Sequence, residues 1–122
     1  MGTSNVTDIV ARYQEALGAR DFNKARELLA DDLRFHGPFE EFDGADDYVA
    51  TIRGLWNIVG SVNVRHVSSD GDEVVVLYDM VTTTPAGTQL IGEWYGVEGG
   101  RIAWIRALFD SAPFAFLRDA KL

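Results

Sequence analysis

The chain has 122 residues, enough for one hydrophobic core and too few for two. Its 47% hydrophobic and 11% aromatic content is that of a globular domain. Its net charge of −8, from 19 acids against 11 bases, argues against nucleic acid and anionic membrane surfaces, which call for clustered Lys and Arg. The absence of cysteine removes disulfides, thiolate zinc sites and cysteine nucleophiles. His36 and His66 are the two imidazoles and stand at no metal-ligand spacing, so no metal is expected. No G-x-G-x-x-G, Walker loop or G-x-S-x-G occurs. The N-terminus lacks a basic segment followed by an apolar run, and no stretch approaches the roughly 20 apolar residues of a membrane helix. The expectation is a cytoplasmic protein that works without a cofactor.

In chain order, Asn5 or Thr7 is placed to cap a first helix whose apolar positions Val6, Ile9, Val10, Tyr13, Ala16 and Leu17 recur at helical spacing up to Gly18. Asp21 caps a shorter second helix carrying Phe22, Ala25, Leu28 and Leu29. Leu33 to His36 reads as a short strand stopped by Gly37-Pro38, followed by a loop from Phe39 to Asp43. Gly44 precedes a third helix with Tyr48, Ile52, Leu55, Trp56 and Val59 on one stripe, closed by Gly60. The period then changes to two. Strands are predicted around Val62–Val67, over Glu73–Thr83, and on both sides of the Glu98-Gly99-Gly100 turn, where glycines supply the positive φ of a hairpin. Phe114, Phe116 and Leu117 suggest that the tail packs down.

Two helices, a short strand, a helix and a four-strand meander give an α+β class with the helices on one face of an antiparallel sheet. In the segment from Val74 to Val81 both alternating sets are apolar, unlike a sheet with one wet face. The second face, where Trp104 and Leu108 would lie, is expected to be covered by a second copy of the chain, making a homodimer. Arg106 shares that parity and suits an interface ion pair.

The Arg12-Tyr13 pair, the run Leu29-Ala30-Asp31-Asp32, the Gly37-Pro38 pair, and Gly100-Arg101-Ile102 followed by Arg106-Ala107-Leu108-Phe109 together resemble the nuclear transport factor 2-like superfamily. Within it the chain is similar to SnoaL-like proteins, polyketide cyclases and ketosteroid isomerase. The resemblance spans nearly the whole chain. It implies a cystatin-like cone, with three N-terminal helices packed on a curved sheet around a deep, largely apolar pocket, and a dimer through the sheet. It does not fix the function, because this fold hosts isomerases, cyclases, hydrolases and binding domains.

Likeness to ketosteroid isomerase implies that Tyr13 is the oxyanion-hole tyrosine and that Glu93 falls at or beside the oxyanion-hole acid. The family's aspartate base falls on Gly37. His36 could replace it if a bulge at Gly37-Pro38 turned it inward. Likeness to limonene epoxide hydrolase matches one aspartate to Asp79 and leaves the other two groups unmatched, near Ala107 and Leu77.

On the residues themselves, Glu93 is an acid in an apolar strand. Sharing parity with Tyr95 and Val97, it would be a buried proton donor; at an edge it would be a surface charge. Tyr13 is either a phenolic donor into the pocket or a core tyrosine with its hydroxyl satisfied. His36 suits proton transfer, against the alternative of a strand-end imidazole in water. Asp79, polar in an apolar strand, is a pocket acid or one half of a structural pair. Phe35, Phe39, Trp56, Tyr95, Ile105 and Phe109 are expected to line the cone. The leading expectation is an acid/base enzyme acting on a small, largely apolar molecule. A non-catalytic binding protein or a dimeric protein-interaction module are the alternatives.

Overall fold

The computed structural model describes residues 3–115, with side chains from Val6 onward, so Asn5, Phe116 and Leu117 lie outside the described side chains. Helix α1 spans Thr3–Gly18 and buries Val6, Val10, Tyr13, Ala16 and Leu17, the stripe that helical spacing predicts. It begins earlier than expected, so Thr7 lies within the helix and does not cap it. Helix α2, Phe22–Glu27, is capped by the Asp21 carboxylate, which accepts from the Lys24 N–H at 3.1 Å.

Strand β1 runs Leu29–His36, four residues longer at its start than the pattern suggested. The expected loop from Phe39 to Asp43 contains a strand, β2 (Glu41–Asp43), paired antiparallel with β1. Gly44, at φ 123°, then turns the chain into α3 (Ala45–Leu55), which buries Ala45, Tyr48, Val49 and Ile52. The helix stops before Gly60: a 3-10 turn over Trp56–Ile58 leads directly into β3, Val59–Asp70.

Strands β4 (Glu73–Thr82), β5 (Thr88–Glu98) and β6 (Arg101–Leu108) complete the meander. Gly99 and Gly100 have φ of 59° and 80°, the left-handed pair that a two-residue hairpin requires. The six strands form one curved sheet in the order β2-β1-β6-β5-β4-β3. It is mixed, where an antiparallel sheet was expected, because β1 returns from α2 to lie parallel beside β6. The three α-helices fall within the first 55 residues, but the third follows two strands. The fold is α+β with the core between helices and the inner sheet face.

Strand alternation divides the side chains cleanly. Val74, Val76, Tyr78 and Met80 of β4 point inward and are buried, whereas Val75, Leu77, Asp79 and Val81 lie on the outer face and are half-buried. On that outer face Leu108 is 67% exposed, Leu90 56% and Trp94 38%. Trp94 meets Trp104 edge to face at 5.2 Å, and the Arg106 guanidinium sits 6.0 Å from the Trp94 ring. Gly96 makes this packing possible, since a Cβ there would overlap the Trp104 indole. Gly96→Ala is therefore expected to expel the indole and cost about 1–3 kcal/mol, as overpacking does. Urea denaturation read by tryptophan fluorescence would register both the lost stability and the altered emission.

Candidate functional site

The inner face of the sheet, α3 and the loop after β1 enclose a cavity of about 510 Å³ that opens to solvent. Its wall is largely apolar. Leu17, Leu55, Met80, Ile91 and Phe114 contribute, together with Phe35, Phe39, Trp56 and Phe109. Phe35 stacks on Tyr48 at 4.7 Å, and Phe109 meets Phe39 and Phe114 edge to face. The tail thus packs down at Phe114, which is buried.

One carboxyl reaches the cavity from the buried interior. Glu93 on β5 points inward with Tyr95 and Val97, is 8% exposed, and lines the cavity between Tyr78 and Ile91 on one side and Ala107 on the other. Its Oε1 accepts from the Tyr95 hydroxyl at 2.6 Å and from the Gln14 amide at 3.2 Å. The Gln14 amide also donates to the Tyr95 oxygen at 2.5 Å. Among the described residues no Lys, Arg or His pairs with Glu93. Burial therefore pushes its carboxyl above the ordinary range, opposed by the donors Tyr95, Gln14 and Tyr78, which favour the charged form.

Four tyrosines surround this acid. Tyr48 and Tyr78 share the cavity wall with it, whereas Tyr95 and Tyr13 are fully buried behind it. The hydroxyls of Tyr13 and Tyr48 are 3.0 Å apart, and Tyr13 packs edge to face on Tyr95 at 6.0 Å. Burial, reinforced by the Glu93 charge, holds all four phenols well above their ordinary titration range, so they act as neutral hydrogen-bonding groups.

The structure brings together part of the expected constellation. Glu93, Phe35, Phe39, Trp56 and Phe109 line the cavity. Tyr13 and Tyr95 form its polar backing, and Ile105 is buried in the core beneath the sheet and is not part of the lining. Two expected site residues face away. His36 aligns with Arg106 on the outer face, with its side chain 59% exposed and Nδ1 3.5 Å from the Glu41 carboxylate. No bulge turns it inward, because Phe35 takes the inward position, aligned with Ile105 and Phe42. Asp79 also points outward and forms an ion pair with Arg65 at 3.1 Å. It is half of a structural pair and does not line this cavity.

Gly37 does line the cavity, but a Cβ there would come within 2.9 Å of the Phe35 ring. The phenyl group fills the space that a side chain at position 37 would need. Sequence reasoning missed Gln14, Tyr48 and Tyr78 as parts of the site. The parity of Tyr78 with Val76 and Met80 carried a usable signal. Gln14, beside Tyr13 on a helix, carried none. Among the described residues no cluster of three metal-ligating side chains occurs, and no helix is long and apolar enough to cross a membrane.

The SnoaL-like domain family matches residues 10–105. A solved structure of a protein from Kribbella flavida DSM 17836 is 30% identical, with 93% of each chain covered and a TM-score of 0.83. An epoxide hydrolase of limonene epoxide hydrolase type from M. tuberculosis is similar in fold at 23% identity and TM-score 0.78, covering 88% of this chain and 84% of its own. A candidate ketosteroid isomerase from Kribbella flavida DSM 17836 is similar at 18% identity and TM-score 0.79, covering 90% and 81%. No curated protein matches the chain in sequence. The match over residues 10–105, most of the chain, means that the chain belongs to the SnoaL-like domain family.

Proposed function

We propose that this protein is a cofactor-independent acid/base enzyme that takes a small, largely apolar molecule into the cone. The observation that carries this reading is the buried carboxyl of Glu93, unpaired with any described cation and set in an aromatic wall. In its neutral form Glu93 donates a proton to a carbonyl, hydroxyl or epoxide oxygen of the occupant; as the carboxylate it takes one back. Tyr48 and Tyr78 offer hydroxyls on the same wall, with Tyr13 acting through Tyr48. The reaction class is isomerisation, cyclisation or hydrolysis with Glu93 as the proton-exchanging group. His36 and Asp79, on the outer face, take no part. A homodimer through the outer sheet face and a cytoplasmic location complete the proposal.

A second reading, non-catalytic binding in the same cavity, is favoured by Gly37 and by the lack of a second buried acid or base in the wall among the described residues. A panel of small neutral ketones, enones and epoxides in D2O, followed by NMR for deuterium uptake, isomerisation or ring opening, separates the two. The enzyme reading expects at least one compound to turn over faster with protein than in buffer, and expects Glu93→Gln to remove that gain. Compounds that raise the melting temperature but never react would establish the binding reading instead.

A further inference from the structure

We infer that Gln14 and Tyr95 are positioning residues that commit Oε1 of Glu93 to the protein framework and leave Oε2 as the oxygen that meets the occupant of the cavity. The inference deepens the role given to Glu93 above and rests on that role only for its catalytic consequence.

The Tyr95 hydroxyl has one hydrogen, and at 2.6 Å it points to Oε1. The Gln14 amide nitrogen carries two hydrogens and faces two acceptors, Oε1 at 3.2 Å and the Tyr95 oxygen at 2.5 Å. The three contacts close a ring on one carboxyl oxygen. Tyr95 is fully buried two residues along β5, and the half-buried Gln14 reaches the pair from α1. Gln14 and Tyr95 both meet Oε1, and Tyr78 is the further hydrogen-bonding partner of the carboxyl.

A neutral carboxyl has one carbonyl oxygen, which accepts, and one hydroxyl oxygen, which donates. A proton on Oε1 would face two donor hydrogens, so Oε1 is the carbonyl and the acid proton resides on Oε2. With Oε1 held by donors from α1 and β5, Oε2 is the oxygen left for the cavity that Glu93 lines. Tyr78 reaches the same carboxyl from the cavity wall and supports its charged form after the proton has left.

Infrared difference spectroscopy of the ligand-free protein in mildly acid buffer tests this. The carbonyl stretch of neutral Glu93 is the band lost in Glu93→Gln. Gln14→Leu and Tyr95→Phe should each move it to higher frequency, because the carbonyl then accepts one hydrogen bond fewer. Tyr13→Phe removes the neighbouring Tyr13–Tyr48 contact but no donor to Glu93, and should leave the band in place. A band unmoved by either of the first two replacements overturns the inference, as does an equal displacement in Tyr13→Phe, which would mark general loosening. Should one replacement fail to fold, the other carries the test. No substrate enters the measurement, so a protein that proves to have no turnover would remove the enzymatic reading and leave this result intact.

Discussion

Glu93→Gln is expected to lower turnover of any substrate of this protein by about 10²–10⁴-fold, the usual contribution of a positioned acid or base. Gln keeps the shape of the side chain, and its carbonyl can still accept from Tyr95 and Gln14, so ligand affinity and circular dichroism should change little. The same replacement has a predictable effect on stability. Burial raises the carboxyl above its ordinary 4.5 in the folded chain, so the folded protein holds the Glu93 proton where the unfolded chain has released it. The stabilisation is present below pH about 4.5, the unfolded value, and is lost as the pH rises through the folded value. Wild type should therefore lose stability relative to Glu93→Gln across that interval and run parallel to it at higher pH. Thermal melts of both proteins over a pH series measure this. Parallel curves throughout would mean that the acid is solvated like a surface glutamate.

Leu108→Glu is expected to abolish the proposed homodimer. Leu90, Trp94, Trp104 and Leu108 occupy one face of the sheet, and the most exposed of them is Leu108. Exposed apolar surface of this kind is a usual mark of an interaction site, and a second copy is its proposed partner. At about 25 cal/mol per Å² of apolar area removed from water, pairing two such faces supplies the drive for association. Two charges buried at such an interface should weaken it on the order of 100-fold, as loss of a central anchor does. Sedimentation equilibrium at micromolar concentration should find a wild-type dimer and a Leu108→Glu monomer that still melts cooperatively. A wild-type monomer would leave the outer face without its proposed partner.

The legible parts of the sequence were those governed by period and by turn chemistry. Helical spacing from Val6 to Leu17, the Asp21 cap and the Gly99-Gly100 hairpin each follow from local rules that packing did not override. The inward parity of Glu93 was legible too, because alternation along β5 ties it to Tyr95. What escaped depended on partners distant in sequence. Strand β2 has three residues and exists only because β1 lies beside it, and the parallel pairing of β1 with β6 leaves no mark on either strand's pattern. His36 and Asp79 were singled out as ionisable residues in apolar company, but the neighbour that occupies the inward position decided each case. Phe35 displaced His36, and the outward register with Leu90 placed Asp79 within reach of Arg65. Gln14 joined the site through a contact 79 residues away, which no local pattern encodes.

Acid catalysis in this cavity requires Glu93 to be a dry carboxyl that holds its proton. Titration of the Glu93 side-chain carboxyl by ¹³C NMR, assigned with Glu93→Gln, reads this directly. A midpoint clearly above 4.5 is expected. A midpoint at or below 4.5 would mean that the hydrogen bonds from Tyr95, Gln14 and Tyr78 outweigh burial, and that Glu93 is a fixed anion unable to serve as the acid.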